Sequence, residues 1–358
     1  MAPGLYNGGA LNTLLPVEVV FHPSWWNRNA GIVFDEDFFY DPRRRVENER
    51  KMEQVLYDRF GRWGLGADRD RDLPQIGAVH NAAGYLLSEM LGCEVRYGEA
   101  TPPEVVCARR EGFDIDVEAA FESPAFRRLV KLIEGLKARH GFVCGDVNWG
   151  GVLNLAMDLK GEDVLVDMLC EPEACRRYFN AIAEVVERFF TFVFSETGTT
   201  SVSVNRLVRF LEKPVFLHSE CSHTMISEDC YRELLMPIDI RWANAHRPFG
   251  IHHCGKDPHR FAKCYAELPR LDFLDVGWGG DLAALRAALP NTFLSIRLNP
   301  VELNGYSEAQ LEQIIEERVR ASANPALTGV CCINLDDKVA DAKVDAIFRI
   351  VDELRKGF

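Results

Sequence analysis

Residues 249–255 read Phe-Gly-Ile-His-His-Cys-Gly. An apolar run gives way to two histidines and a cysteine, and a glycine follows where the backbone turns away. Side chains two apart on a strand share a face, so His252 and Cys254 are expected together, with His253 on the opposite side. An imidazole and a thiolate at one strand end are two zinc ligands. Two ligands are not a site, and the rest of the chain decides whether others join them.

Working outward, short apolar runs alternate with helical patterns. Strands are expected at 142–147, 201–205, 215–218, 250–253, 273–276, 293–298 and 329–333. Helices are expected at 173–195, 227–246, 257–267, 282–289, 307–321 and 339–356. Alternation at this spacing argues for βα units around a parallel sheet. With so many units and no Gly-x-Gly-x-x-Gly fingerprint, the expected class is α/β and the expected fold a (β/α)8 TIM barrel.

The barrel core is placed at 141–358. Residues 1–140 are read as a mostly helical, partly irregular N-terminal extension packed on it, the whole forming one structural domain. That extension has a candidate strand at Val17–Phe21 and helices at 43–60, 81–91 and 123–138. His22, Trp25 and Trp26 follow the strand as candidates to line a pocket for an apolar or aromatic substrate. The competing reading is an arm packed over the core.

Composition narrows the function. Of 358 residues, 41 are Lys or Arg and 54 are Asp or Glu, a net charge of −13, which speaks against a nucleic-acid or anionic-membrane surface. No apolar run of about 18 residues is present, and the first residues lack a signal-peptide pattern. A soluble, cytoplasmic protein is expected. The eleven cysteines are read as reduced thiols, most of them small core residues.

Reactive residues fall at the C-terminal ends of the expected strands, the end that carries barrel active sites. Asp146 and Asn148 come first, then His218 and Glu220, His252 and Cys254, Asp275, Asn299, and Cys331 with Cys332. From these the candidate metal set is His252, Cys254 and one of the two adjacent cysteines, since neighbouring strand residues face opposite ways. Asp146, Asn148, His218 and Glu220 are candidate catalytic groups. Trp149 and Asn299 join His22, Trp25 and Trp26 as candidate substrate contacts.

The stretch 226–237, Ile-Ser-Glu-Asp-Cys-Tyr-Arg-Glu-Leu-Leu-Met-Pro, followed by Gly-Ile-His-His-Cys-Gly at 250–255, resembles the uroporphyrinogen decarboxylase superfamily. Phe-Leu-Asp-Val at 273–276, Leu-Asn-Pro at 298–300 and Glu-Pro-Glu at 171–173 fit the same pattern, so the resemblance spans roughly residues 140–358. Within that superfamily, a His-x-Cys pair with a late cysteine marks the zinc-dependent, corrinoid-linked methyltransferases. The resemblance implies zinc on His252, Cys254 and Cys332, with Cys331 as the fallback. Relatives of this type can carry an acidic ligand after the 273–276 strand, where this chain reads Gly-Trp-Gly-Gly. Asp275 or Glu220 is therefore the candidate fourth ligand, the alternative being water or substrate in that position.

The implied reaction moves a methyl group between a small molecule of ether, amine or thiol type and cobalamin. No Asp-x-His-x-x-Gly motif is present, so the cobalamin is assigned to a partner corrinoid protein. Two other readings stay open. One is a metal-free tetrapyrrole decarboxylase, with Arg206, Arg209 and Arg297 receiving carboxylates. The other is a barrel that binds without turnover.

Overall fold

The computed structural model describes residues 14–66, 72–77, 80, 84–199, 206–211 and 213–358. Its strands are β1 (Val17–Phe21), β2 (Glu94–Arg96), β3 (Glu104–Val106), β4 (Phe216–Ser219), β5 (Phe249–His253), β6 (Phe273–Val276), β7 (Phe293–Arg297) and β8 (Thr328–Leu335). All but β2 and β3, which form a small antiparallel hairpin, are written in near-continuous apolar residues. Such runs suit a parallel sheet covered on both faces. The six pair in parallel in the order β1-β8-β7-β6-β5-β4 and curl into half a barrel.

Alternation sorts the side chains. Val20, Leu217, Phe273, Phe293, Cys331 and Ile333 meet on the concave face as one apolar cluster. Phe216, Ile251, Leu274, Ile296 and Cys332 point outward into the larger core shared with the helices. The covering helices include Pro42–Phe60, Pro124–His140, Pro172–Thr197, Glu308–Ala321 and Asp341–Arg355, close to the expected spans. Ser123 and Ser307 start two of them by accepting the backbone N–H groups of Phe126 and Gln310, as serine N-caps do.

The expected closed barrel is not what the described residues form. Of the two missing strands, 201–205 lies outside the described residues. The other, 142–147, is reduced to a single parallel bridge between Gln75 and Cys144. Gly141 and Gly145 sit at φ 79° and 82°, and left-handed backbone cannot continue an extended strand. The N-terminal segment also contributes to the sheet, because β1 pairs with β8 along its length. The 227–246 helix is interrupted by a π segment at Tyr231–Leu235, where Pro237 supplies no N–H to the turn before it. No helix among the described residues is long and apolar enough to cross a membrane.

Candidate metal centre

Register decides what meets at the C-terminal rim. Ser219 of β4 pairs with His252 of β5, and His252 with Asp275 of β6. Asp275 in turn pairs with Ser295 of β7. All four side chains therefore face the concave side in one row. Two residues beyond Ser219 and His252, the chain places Cys221 and Cys254. Their Sγ atoms lie 2.8 Å apart, and with a nitrogen of His252 they form a group whose ligand atoms all fall within 4.8 Å.

The imidazole is oriented from behind. Asp275 Oδ2 lies 2.5 Å from His252 Nδ1 and also accepts from Arg297 Nη2 at 2.6 Å. Occupying Nδ1 leaves Nε2 as the nitrogen for a ligand. Burial opposes charge on His252, but Asp275 outweighs it and holds the imidazole up at about 9. The Cys221 thiol, followed by His252 and Arg297, pulls Cys254 down to about 3. The shared proton stays on Cys221, which the contact with Cys254 pushes well up. A thiolate, a thiol and an imidazole in this arrangement are a donor set suited to zinc.

Steric closeness accounts for the missing acidic ligand. A Cβ on Gly277 would sit 1.7 Å from the Gly255 carbonyl oxygen, and one on Gly279 would sit 2.5 Å from that of Lys256. The loops after β5 and β6 cross backbone to backbone, and no side chain fits between them.

Cys332, expected as the third ligand, is not brought to the pair. It faces outward into the helix-side core, and its thiol reaches only the Leu298 carbonyl at 3.9 Å. Cys331 does face inward, but it meets Ser295 Oγ at 3.3 Å, and burial pushes its thiol up to about 12. His253 turns to the helix side, where Nδ1 lies 2.8 Å from Tyr265 Oη. The member that sequence reading missed is Cys221. Its signal was the register itself, since Cys221 follows the β4 end by the distance at which Cys254 follows its paired β5 residue.

The candidate catalytic groups divide. Glu220 is fully buried, and its two oxygens accept from the N–H groups of Leu153 at 2.8 Å and Ser222 at 3.0 Å. It therefore ties loops together beneath the site. His218 is equally buried, with Nδ1 against Asp239 at 2.7 Å and Nε2 accepting from Val152 N–H at 3.2 Å. Asp146 is buried as well. Asn148 alone of the four borders the cavity of about 230 Å³ that opens on the metal group.

The substrate candidates fare differently again. Trp149 borders the cavity, but it is itself buried and its ring packs on Phe216. Trp25 and Trp26 are fully buried and pack on Phe21 behind β1. His22 caps the helix Pro23–Ala30, and Asn299 caps Pro300–Leu303. None of these four lines the cavity. The arginines of the decarboxylase reading are ion-paired: Arg206 and Arg209 with Glu18, away from the cavity, and Arg297, which borders the cavity, with Asp275.

No protein-family model matches the chain, and no curated protein matches it in sequence. Solved structures do. The chain is similar to a methyltransferase from Methanosarcina mazei, with a TM-score of 0.64 at 13% identity over 97% of both chains. It is also similar to a B12-independent methionine synthase from Shewanella sp. W3-18-1, solved in complex with selenomethionine. That match has a TM-score of 0.50 at 8% identity, covering 97% of this chain and 100% of the other. At these identities the likeness is one of fold. The protein thus has a TIM-barrel-like α/β fold, with a Cys221–His252–Cys254 group at the strand ends that is able to take a metal.

Proposed function

We propose that the protein is a zinc-dependent methyltransferase that exchanges a methyl group between a small molecule and the cobalamin of a partner corrinoid protein. The observation that carries this reading is the convergence of Cys221, His252 and Cys254 at the strand ends, beside a cavity of about 230 Å³. Three protein ligands with an open position make the catalytic form of a zinc site. Bound there, zinc would supply Lewis acidity to a heteroatom of the substrate.

The chain's own residues do the rest. Cys221, His252 and Cys254 would hold the metal, and Asp275 keeps the imidazole in the binding orientation. Arg297 lies 3.4 Å from His252 Nδ1 and offsets the negative charge gathered by the thiolates and Asp275. Asn154 Oδ1 accepts from Ser222 N–H at 3.0 Å, and so fixes the loop that presents Cys221. A cavity of about 230 Å³ suits a short methyl donor or acceptor.

The test is metal analysis of the purified protein, followed by methyl transfer between cobalamin and a panel of ethers, amines and thiols. About one zinc per chain and turnover with at least one member are expected. A metal-free protein, or a zinc protein inert towards the whole panel, would remove the proposal.

A further inference from the structure

The cavity beside the metal group is polar, and two of its wall residues are arranged in ways the fold alone does not require. Asn148 is the first. Its Oδ1 is buried without a hydrogen-bond partner among the described residues. A buried acceptor left unpaired is costly, and this one borders the cavity.

Asn334 is the second. It stands at φ 67°, in the left-handed region that glycine enters most easily. Strand alternation would send Ile333 and Asn334 to opposite faces, yet both line the cavity. The cause is a bulge: Val20 pairs with Ile333 while the next residue, Phe21, pairs with Leu335, so Asn334 is the unpaired extra residue. Bulges of this kind re-aim side chains beside active sites, and a sparsely populated backbone conformation held in such a place points to use. Among the described residues that line the cavity, Ile333 and Trp149 are the large apolar side chains.

We propose that Asn148 and Asn334 are specificity-determining residues. Between them they receive an O–H or N–H group carried by a short substrate whose heteroatom lies against Cys221, His252 and Cys254. The inference rests on the methyl-transfer reading for the heteroatom, and on the two asparagines for the polar group. A site built to pair with such a group rejects the analogue that lacks it, because the buried Asn148 Oδ1 is then left unpaired, while the exposed Asn334 adds the second contact.

The test uses the protein loaded with cobalt(II) and two thiols of nearly equal size, 2-mercaptoethanol and 1-propanethiol. Binding is read, without turnover, from the change each added thiol makes in the thiolate-to-cobalt absorption band that Cys221 and Cys254 already give. In the unaltered protein 2-mercaptoethanol is expected to bind at least about tenfold more tightly. Asn334→Gly and Asn148→Ala should each erode that preference several-fold. Asn334→Gly should leave Tm unchanged or raised, since glycine accepts φ 67° freely. Equal affinity for the two thiols in the unaltered protein overturns the proposal, and so does a preference that survives both substitutions together. If the protein takes up no cobalt, the metal reading falls and the specificity proposal falls with it; if it takes up cobalt but the band changes with neither thiol, the metal reading stands and the specificity proposal alone is overturned. The two failures are thus told apart.

Discussion

Asp275 Oδ2 lies 2.5 Å from Nδ1 of His252, and the two residues are direct partners across β5 and β6. The pairing aims the imidazole before any ligand arrives. Asp275→Asn should therefore weaken zinc binding by about 10–100-fold, the usual cost of losing such a partner. His253→Ala, on the opposite face, should leave affinity within a few-fold of the unaltered protein. Competition against a chromogenic chelator measures both. A larger loss from His253→Ala than from Asp275→Asn would mean that the other histidine is the ligand.

The cysteines make a sharper contrast. Cys221→Ser, Cys254→Ser and His252→Ala should each abolish stoichiometric zinc. Cys332→Ala should retain it, losing only about 1 kcal/mol of stability from a small buried void. Zinc content and thermal melts of the four variants check the assignment of Cys221 in place of Cys332.

Metal uptake should be strongly pH-dependent. Between the depressed Cys254, at about 3, and the raised His252, at about 9, the empty group holds one proton on His252 and one on Cys221. Both must leave when a metal binds, so uptake near pH 7 should release about two protons. The apparent affinity should climb steeply as pH rises to the His252 value, and more gently above it, where only the Cys221 proton is left to displace. Calorimetry in buffers of different ionisation enthalpy counts the protons.

How much of this was readable beforehand varies by residue. The αβ alternation, most helices and the C-terminal rim were visible, because periodicity survives in apolar runs such as those of β6 and β7. The placement of His252 and Cys254 on one face followed from a period of two. Cys221 was not visible, because its role comes from inter-strand register, which no single strand states. Cys332 misled for a related reason: a one-residue shift flips the face, and only the paired strand shows which of two adjacent cysteines looks inward. Glu220 and His218 sat where catalytic groups sit, but their hydrogen bonds to Leu153, Val152 and Asp239 make them part of the scaffold.

The tryptophans give a fourth test. Trp25 is fully buried and its ring stacks on Phe21 at a centroid distance of 4.0 Å. Trp25→Ala should cost about 3–5 kcal/mol of stability without altering zinc affinity. A loss of ligand binding at unchanged Tm would instead restore the substrate-contact role expected from the sequence.

Gly277 gives a fifth. With the Gly255 carbonyl oxygen only 1.7 Å from where its Cβ would stand, Gly277→Ala must push the two loops apart. We expect a destabilisation of about 1–3 kcal/mol together with weaker zinc binding, because Cys254 sits on the displaced loop. Unchanged affinity would show that the crossing of the loops does not set the position of Cys254.

Among the described residues, β4 ends the row of six strands, with β5 as its one neighbour in the sheet. Cys221 leaves the end of β4, while His252 and Cys254 belong to β5 and its exit. An ion held by all three would act as a rivet, fastening the sheet's margin to its interior. Strand margins are where sheets fray and recruit unwanted partners. Withdrawing the ion would then do more than silence the chemistry: amide exchange should quicken first along β4.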